Sequence, residues 1–475
     1  MRLYLYGSGN RCKTLLEIIR KTDIEVVGII DSNSKRWRDF IGDYEIMPPS
    51  QLNCYSDEYV CVTFFGEKDY EPVWDELMKT YLIPREMLLS YHDVVIDIYS
   101  KLIKIPKSSS NIGLLRNTIF DGAWEFGIGG VEAWLNDTIK KLSGHIDNLV
   151  FFTKEKQFNG DAYSKVEISD FCLKDSCNFK YDDIENSINH LMSYLPCTVV
   201  CSRVDEIMLA AYLIHSIYPD YLELITVVHG ACDGMIRDVV AYCEGTKKYI
   251  CVSETIKKIM QCRGVENAKL MQITVPVNVD DNIQRTYSMD CSKPIRIGYA
   301  GRIEVFHKRS DLLIELINKL EQSEVNYVFE IVGEGSFSSQ LKEYIHSNDL
   351  EGKVLYSGAI SRDKILDFWY DKDISINVSD SEGRPISNIE AMCCGAVPVV
   401  TSTAGIIEDV QDGTTGFVVE VGDMEHMASI IKNLDKNRIL LKEVGERARD
   451  YMIKEANAEL YIAKWKEILS PDGCV

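Results

Sequence analysis

What most constrains this chain is a repeated alternation along almost all of its 475 residues. A short β-branched or aromatic run leads into a glycine-rich or polar segment, and an amphipathic stretch with helical spacing follows. That pattern predicts parallel sheets with helices on both faces, an α/β class. A single core stops growing above roughly 250–300 residues, so more than one is expected. Three blocks separate: 1–105, 111–290 and 291–475. The polar stretch Lys104-Ile-Pro-Lys-Ser-Ser-Ser-Asn111 reads as a linker. The second boundary is softer, with Asn278-Val-Asp-Asp-Asn282 and Cys291-Ser-Lys-Pro294 breaking the pattern before a strand at Ile295.

Lys and Arg total 52 against 73 Asp and Glu, a formal charge of -21. A chain this acidic repels phosphate backbones, so nucleic acid is not an expected partner. A broad basic membrane face is equally disfavoured, while a local patch for peripheral membrane association stays open. The 15 cysteines are scattered and lack paired C-x2-C spacing, which fits reduced thiols and a cytoplasmic location better than a zinc site or a disulfide framework. The opening Met-Arg-Leu-Tyr-Leu-Tyr-Gly reaches Asn10 and Arg11 without a long apolar region, so neither a signal peptide nor a membrane span is expected.

The third block carries the densest chemistry. Strands are predicted at Ile295 to Ala300, Tyr327 to Val332, Val354 to Ser357 and Asp373 to Val378, and in open parallel sheets ligands bind beyond the carboxyl ends of the strands. After the first comes Gly301-Arg302-Ile-Glu-Val-Phe-His-Lys308, where two cations six residues apart are placed to converge on a diphosphate or to stand as solvated loop charges. After the second comes Gly333-Glu334-Gly335, suited to close backbone approach or to a plain turn. After the fourth comes Ser379-Asp-Ser-Glu382-Gly383-Arg384-Pro385-Ile-Ser387-Asn-Ile-Glu390-Ala-Met-Cys-Cys-Gly395. Ser387 and Glu390 have capping-box spacing and Gly395 suits a C-terminal cap, so a helix from about Asn388 to Cys394 is predicted, with its N-terminus open to an anion. Asp371-Lys-Asp373 has the D-x-D spelling of a metal site but precedes a strand, and is read as a helix-end charge pair.

In this order the motifs G-R-x5-K, G-E-G, S-E-G-x-P-x4-E-A-M-x-x-G and Gly413-Thr-Thr-Gly416-Phe417 resemble the donor-binding lobe of family 4 of the retaining glycosyltransferases, over residues 295 to about 465. The resemblance implies the GT-B architecture, two Rossmann-like lobes facing a cleft, here preceded by a third small Rossmann-like block. It implies that Arg302 and Lys308 bind the pyrophosphate, that Glu382 holds hydroxyls of the transferred sugar beside the backbone of Gly383 to Pro385, and that Glu390 reaches the ribose. Gly301, Gly333 and Glu334 complete the donor set. Arg384 stands where a bulky apolar residue is commoner in the family, which puts the identity of the donor sugar in doubt. No metal and no cofactor are expected.

In the second block, Glu125-Phe-Gly-Ile-Gly129-Gly130-Val-Glu-Ala-Trp134 resembles the family's glycine turn before the first long helix, where the backbone approaches the donor phosphate. The run Leu222 to Val228 ends at His229-Gly230, and a histidine at a matching strand end lines the family's reaction cleft; a buried structural histidine is the alternative. Asp233 and Arg237 follow closely and are candidates to contact an acceptor, though nothing in their spacing demands it. In the first block, Gly7-Ser-Gly9 and Asp31 at the end of the second strand open a nucleotide-binding βαβ pattern without its third glycine. That block resembles the N-terminal domain of bacterial sugar O-acyltransferases, and a structural or interaction role ranks ahead of ligand binding. The last helical stretch, Ala456 to Leu469, is expected to pack back on the second block.

The expected function is transfer of a sugar from a nucleoside-diphosphate donor to a glycan or lipid-linked acceptor with retention of configuration, in bacterial surface polysaccharide or glycoconjugate synthesis. A transferase for a small soluble acceptor and a non-catalytic nucleotide-sugar sensor or scaffold are the alternatives.

Overall fold

The computed structural model describes residues 1–52, 57–63, 70–106, 115–122, 130–153, 165–171, 173, 177–277, 279 and 285–470. In the first block the alternation becomes β1 (Arg2–Tyr6), α1 (Asn10–Ile19), β2 (Glu25–Ile30), β3 (Phe40–Ile41), β4 (Tyr44–Met47), β5 (Glu58–Val62), α2 (Tyr70–Thr80), β6 (Leu88–Ser90) and α3 (Tyr91–Leu102). The second block runs β7 (Asn117–Asp121), α4 (Gly130–Leu142), β8 (Leu149–Phe152), β9 (Val166–Ser169), α5 (Tyr181–Met192), β10 (Cys197–Cys201), α6 (Glu206–Ile217), β11 (Leu222–Val228), α7 (Asp233–Val240), β12 (Thr246–Cys251), α8 (Glu254–Cys262) and β13 (Leu270–Gln272). The third runs β14 (Ile295–Ala300), α9 (Asp311–Gln322), β15 (Tyr327–Val332), α10 (Ser338–Ser347), β16 (Val354–Gly358), α11 (Ile365–Tyr370), β17 (Ile374–Asn377), α12 (Ile386–Cys393), β18 (Val397–Thr401), β19 (Phe417–Val419), α13 (Met424–Lys436), α14 (Arg438–Glu455) and α15 (Ala458–Leu469).

Three sheets result, ordered β3-β4-β2-β1-β5-β6, β13-β12-β11-β10-β7-β8-β9 and β16-β15-β14-β17-β18-β19. In the third sheet every pairing is parallel. Counted within its block the order is 3-2-1-4-5-6, so the chain reverses direction across the sheet between β14 and β17, the position where an open parallel sheet leaves a crevice at its carboxyl edge. Strands covered on both faces read as continuous apolar runs, which is why β10 and β18 are buried at every position.

The described chain divides into two compact units. The first holds the first two sheets around one continuous core that includes Leu3 and Leu5 of β1, Tyr91, Val95 and Ile98 of α3, Ile119 of β7, Val199 of β10 and Leu209 of α6. The first block is therefore fused to the second by shared apolar packing. Its glycine loop is braced from within: the Ser8 amide donates to Asp31 Oδ2 at 2.9 Å, and the Ser8 hydroxyl bonds the same oxygen.

The second unit holds the third sheet, with Ile297, Leu316, Phe329 and Ile431 among its core, and also takes in α4. There α15 packs on α4: the Thr138 and Tyr461 hydroxyls are 2.7 Å apart and the Trp134 and Trp465 ring centroids 6.3 Å apart.

One local expectation fails. Helix α12 begins at Ile386, directly after Pro385, and no side chain caps it. Ser387 thus lies inside the first turn instead of at the cap, because Pro385, with φ fixed at -70°, forms the boundary. Glu390 is turned into the interior rather than back to the helix start. The C-terminal half of the expectation holds: Gly395 has φ +76°, its amide bonds Met392 O at 2.9 Å, and the Ala396 amide bonds Ala391 O at 2.9 Å, a Schellman closure.

Candidate functional site

The segments after β14, β15 and β17 form the carboxyl edge of the third sheet at its switch point. Their glycines are there for close approach. A Cβ on Gly333, itself at φ +136°, would stand 1.8 Å from Gly301 O, and a Cβ on Gly335 would stand 2.4 Å from Ile303 O. The two loops lie backbone against backbone, tied by Ile303 N–H to Glu334 O at 3.0 Å. Gly405 does the same for the β17 loop: its Cβ would fall 1.7 Å from Gly383 O.

Within the β14 loop, His307 and Arg309 both occupy the left-handed region, at φ 61° and 46°, so Lys308 is flanked by two strained residues. Such strain persists only where surroundings impose it. Asp380 imposes it here: its amide donates to His307 O at 3.0 Å, and its carboxylate lies 3.6 Å from His307 Nδ1 and 3.9 Å from Arg309 Nη1.

The consequence is that Lys308 Nζ reaches Glu382 Oε1 at 2.6 Å, joining the loops on either side of the switch point. Ser379 Oγ donates to the same Glu382 oxygen at 2.7 Å, and the glutamate side chain is 9% exposed, so its position is held. Arg302 behaves differently. Its guanidinium pairs with Glu304 at 2.9 Å and is 47% exposed, so Arg302 and Lys308 have separate carboxylate partners.

Glu390, on α12, is buried and ion-paired with Arg362, which also donates to Asp137 Oδ2 at 2.7 Å. Burial pushes the Glu390 carboxyl up to about 7, against the opposing pull of Arg362. Arg384 is committed to structure: it donates to Asp409 through Nε at 3.1 Å and Nη2 at 2.5 Å, and to Thr274 Oγ1 at 2.7 Å. Gly383 and Pro385 bracket it at the uncapped start of α12, where backbone N–H groups and the positive end of the helix meet the loop.

Asp373 of the D-x-D spelling is fully buried under Arg285 and Arg296, with Arg296 Nη2 at 2.8 Å. It anchors a strand start. Among the described residues no group of three or more His, Cys, Asp or Glu side chains has metal-binding geometry.

In the first unit, His229 sits just beyond β11. Desolvation first, and the nearby Arg203 charge second, push its pKa down to about 3. Asp233 and Arg237 are bound to each other at 3.0 Å, which answers for their charge without an acceptor. Gly130 opens α4 with open space where a Cβ would stand, whereas Gly129 and the rest of that turn lie outside the described residues.

Sequence reasoning missed Arg362, Asp137, Asp380 and Asp409. Only Asp380 stands beside a motif; Asp137 and Arg362 are 225 positions apart and no local spacing links them.

Residues 290–451 match the family described as Glycosyl transferases group 1, and residues 1–77 match C2185-like, N-terminal. Poly(ribitol-phosphate) alpha-N-acetylglucosaminyltransferase of Staphylococcus aureus is 30% identical over 177 residues, 37% of this chain and 35% of that protein. The chain spans about half or less of the length of the curated relatives it matches first. Among solved structures, Anabaena Alr3699/HepE in complex with UDP and glucose superposes with a TM-score of 0.61 at 17% identity, over 74% of this chain and 99% of that one. A mutant of S. aureus TarM, in complex with Fondaparinux, alpha-GlcNAc-glycerol and UDP, superposes over 99% of this chain and 100% of its own, with a TM-score of 0.52 and 15% identity. The chain thus has an α/β GT-B fold of Rossmann-like parallel sheets, and within it residues 290–451 are similar to the group 1 glycosyl transferases.

Proposed function

We propose that this protein transfers a sugar, with retention of configuration, from a nucleoside-diphosphate donor to a glycan or lipid-linked acceptor in surface polysaccharide or glycoconjugate synthesis at the cytoplasmic face of a membrane. The observation that carries the reading is the Lys308–Glu382 pair at 2.6 Å, bridging the loops at the switch point of the third sheet. A lysine held there by strained backbone is placed for a diphosphate, and a glutamate with a fixed orientation is placed for sugar hydroxyls. Arg302, exposed and paired within its own loop, swings from Glu304 to the second phosphate. The open start of α12 adds backbone donors. Charge developing on the departing diphosphate is met by these fixed groups without a metal, and a leaving phosphate oxygen takes the acceptor proton. The UDP and glucose bound to the Anabaena neighbour support the donor class, and the poly(ribitol-phosphate) named for the staphylococcal relative supports a surface-polymer acceptor. The three domains anticipated from the sequence correspond in this reading to an N-terminal block, an acceptor lobe with His229, and a donor lobe. The N-terminal block's kinship with sugar O-acyltransferases is part of the same proposal.

The test is nucleoside diphosphate release from UDP-, GDP-, ADP-, CDP- and dTDP-sugars, with and without EDTA, for wild type and for Glu382→Ala and Arg302→Ala. EDTA-resistant release with one donor, lost in both variants, supports the reading; no cleavage or binding of any donor, with crude lipid and glycan acceptors present, overturns it in favour of a sensor or scaffold. An inverted anomeric centre in the product, read from NMR coupling constants, overturns retention.

A further inference from the structure

Helix α7 is gripped by the first block. Its Asp238, almost fully buried, receives both arms of Arg11, the second residue of α1, with Nη1–Oδ1 at 3.2 Å and Nη2–Oδ2 at 2.7 Å. The Arg11 guanidinium lies 4.9 Å from the centre of the Tyr91 ring, so it is fixed by α3 as well. His92, also on α3, approaches Asp238 Oδ2 at 3.8 Å and bonds the Tyr242 hydroxyl at 3.0 Å through Nδ1. At the neighbouring position Arg237 lies 4.1 Å from the centre of the Trp74 ring of α2, which Arg85 also contacts at 3.8 Å. Three helices of the first block therefore hold one short helix of the second.

That helix is separated from His229 by Gly230, Ala231 and Cys232 only. The connection is short, and Gly230 lies against the Met235 side chain of α7, where a Cβ would fall 2.7 Å from Sδ. A link of three residues spans at most about 10 Å, so a shift of the first turn of α7 is carried into the His229 end of the connection. A planar bidentate guanidinium–carboxylate contact fixes direction as well as distance, which a lysine reproduces only in part.

We propose that the first block is a positioning element for the transfer site: Arg11 through Asp238, and Trp74 through Arg237, set α7 and thereby the His229 turn. Arg11 is a positioning residue on this account. The account rests on the reading that His229 belongs to the reaction site, and it gives a block with no assigned ligand a role in turnover.

The experiment compares wild type, Arg11→Met, Arg11→Lys and Asp238→Asn. Hydrogen exchange is followed by mass spectrometry in peptides covering 229–243, with 386–394 as internal reference. UDP affinity is measured by calorimetry, and turnover is measured with UDP-glucose and UDP-N-acetylglucosamine in water. In Arg11→Met, amides of α7 should exchange about tenfold faster while the reference peptide is unchanged. Turnover should fall about tenfold with UDP affinity within about twofold, and Arg11→Lys should recover part of both losses. Wild-type exchange at α7 in Arg11→Met, or a loss of UDP affinity in proportion to turnover, overturns the proposal. If Arg11→Met does not fold, Asp238→Asn, which keeps the side-chain shape, gives the same decision. Lack of turnover of either sugar by wild type counts against the transfer reading, while the exchange result still decides whether α7 is held by Arg11.

Discussion

Lys308 and Glu382 come from loops 74 positions apart, yet their charged ends meet at 2.6 Å. Neither loop is free to choose this geometry, since Asp380 holds the strained backbone around Lys308 and Ser379 holds the glutamate. The pair should therefore act as a unit. Lys308→Ala and Glu382→Ala are each expected to lower donor turnover by about 10²–10³-fold, the scale of losing one fixed electrostatic contact in a transition state. The double variant should lose far less than the product of the two, as groups acting together are non-additive. Single-turnover nucleoside diphosphate release checks this, and multiplicative losses would mean that the two side chains work independently.

Glu390 gives a pH signature. Its carboxyl is pushed up to about 7 from 4.5 by burial. Since the folded pKa is raised, the stabilising contribution is complete below about 4.5, where both states are protonated, and is lost as pH rises through about 7. The span is about 3 kcal/mol from a shift of this size. Glu390→Gln removes the titration, so the stability of the variant relative to wild type should climb between those limits and then level. Urea unfolding at closely spaced pH values measures it, and a flat difference would show that Arg362 keeps Glu390 ionised throughout.

Much of the fold was legible because parallel strands buried on both faces carry continuous apolar runs. Ile295–Ala300, Tyr327–Val332 and Leu222–Val228 stand where the pattern put them. The Gly395 closure was legible too, since only the left-handed conformation satisfies both of the last turn's carbonyls. The start of the same helix was misread because Ser387 and Glu390 have capping spacing, while Pro385 had already set the boundary. For Glu390 the deciding partner, Arg362, lies on another loop, and for Arg384 the partner Asp409 is 25 positions away. Local spacing carries no information about such pairs. The fusion of the first two sheets was hidden for the same reason, because a core shared between Leu5 and Leu209 leaves no trace in either segment alone.

His229 makes a prediction of a different kind. With its pKa pushed down to about 3, the ring is neutral from about pH 5 to 8. It offers one hydrogen-bond donor and one acceptor, and carries no charge. The pH profile of donor turnover should therefore show no inflection near 6.5 that disappears in His229→Asn. A proton NMR titration of the ring between about pH 5 and 8 should likewise find no chemical-shift step for His229. A step in that window would show that the ring is charged in part of it and would reassign the residue as an acid or base.

Gly333 tests the geometry of the loops. Its φ of +136° disfavours any side chain, and a Cβ would stand 1.8 Å from Gly301 O, a backbone atom that has no rotamer to change. Gly333→Ala should therefore push the β14 loop away from the β15 loop and cost about 1–3 kcal/mol or more. Because Lys308 rides on the displaced loop, turnover should fall further than stability explains. Denaturant unfolding and donor turnover measured on the same sample separate the two effects.

Arg384 supplies the test that divides a structural from a sugar-binding role. Its guanidinium is nearly enclosed, with Asp409 on one side and Thr274 on the other, and Asp409 is fully buried. Arg384→Ala leaves that carboxylate without its counter-ion, a change expected to cost about 3–5 kcal/mol. Replacing both partners, as Arg384→Met with Asp409→Leu, removes the buried charge as well as its partner and should recover most of that loss. Donor affinity in the double variant should then stay close to wild type, since the guanidinium is already engaged by Asp409 and Thr274. If the double variant is stable but no longer distinguishes one UDP-sugar from another, the side chain reads the donor directly and its ion pair with Asp409 is broken when the donor binds.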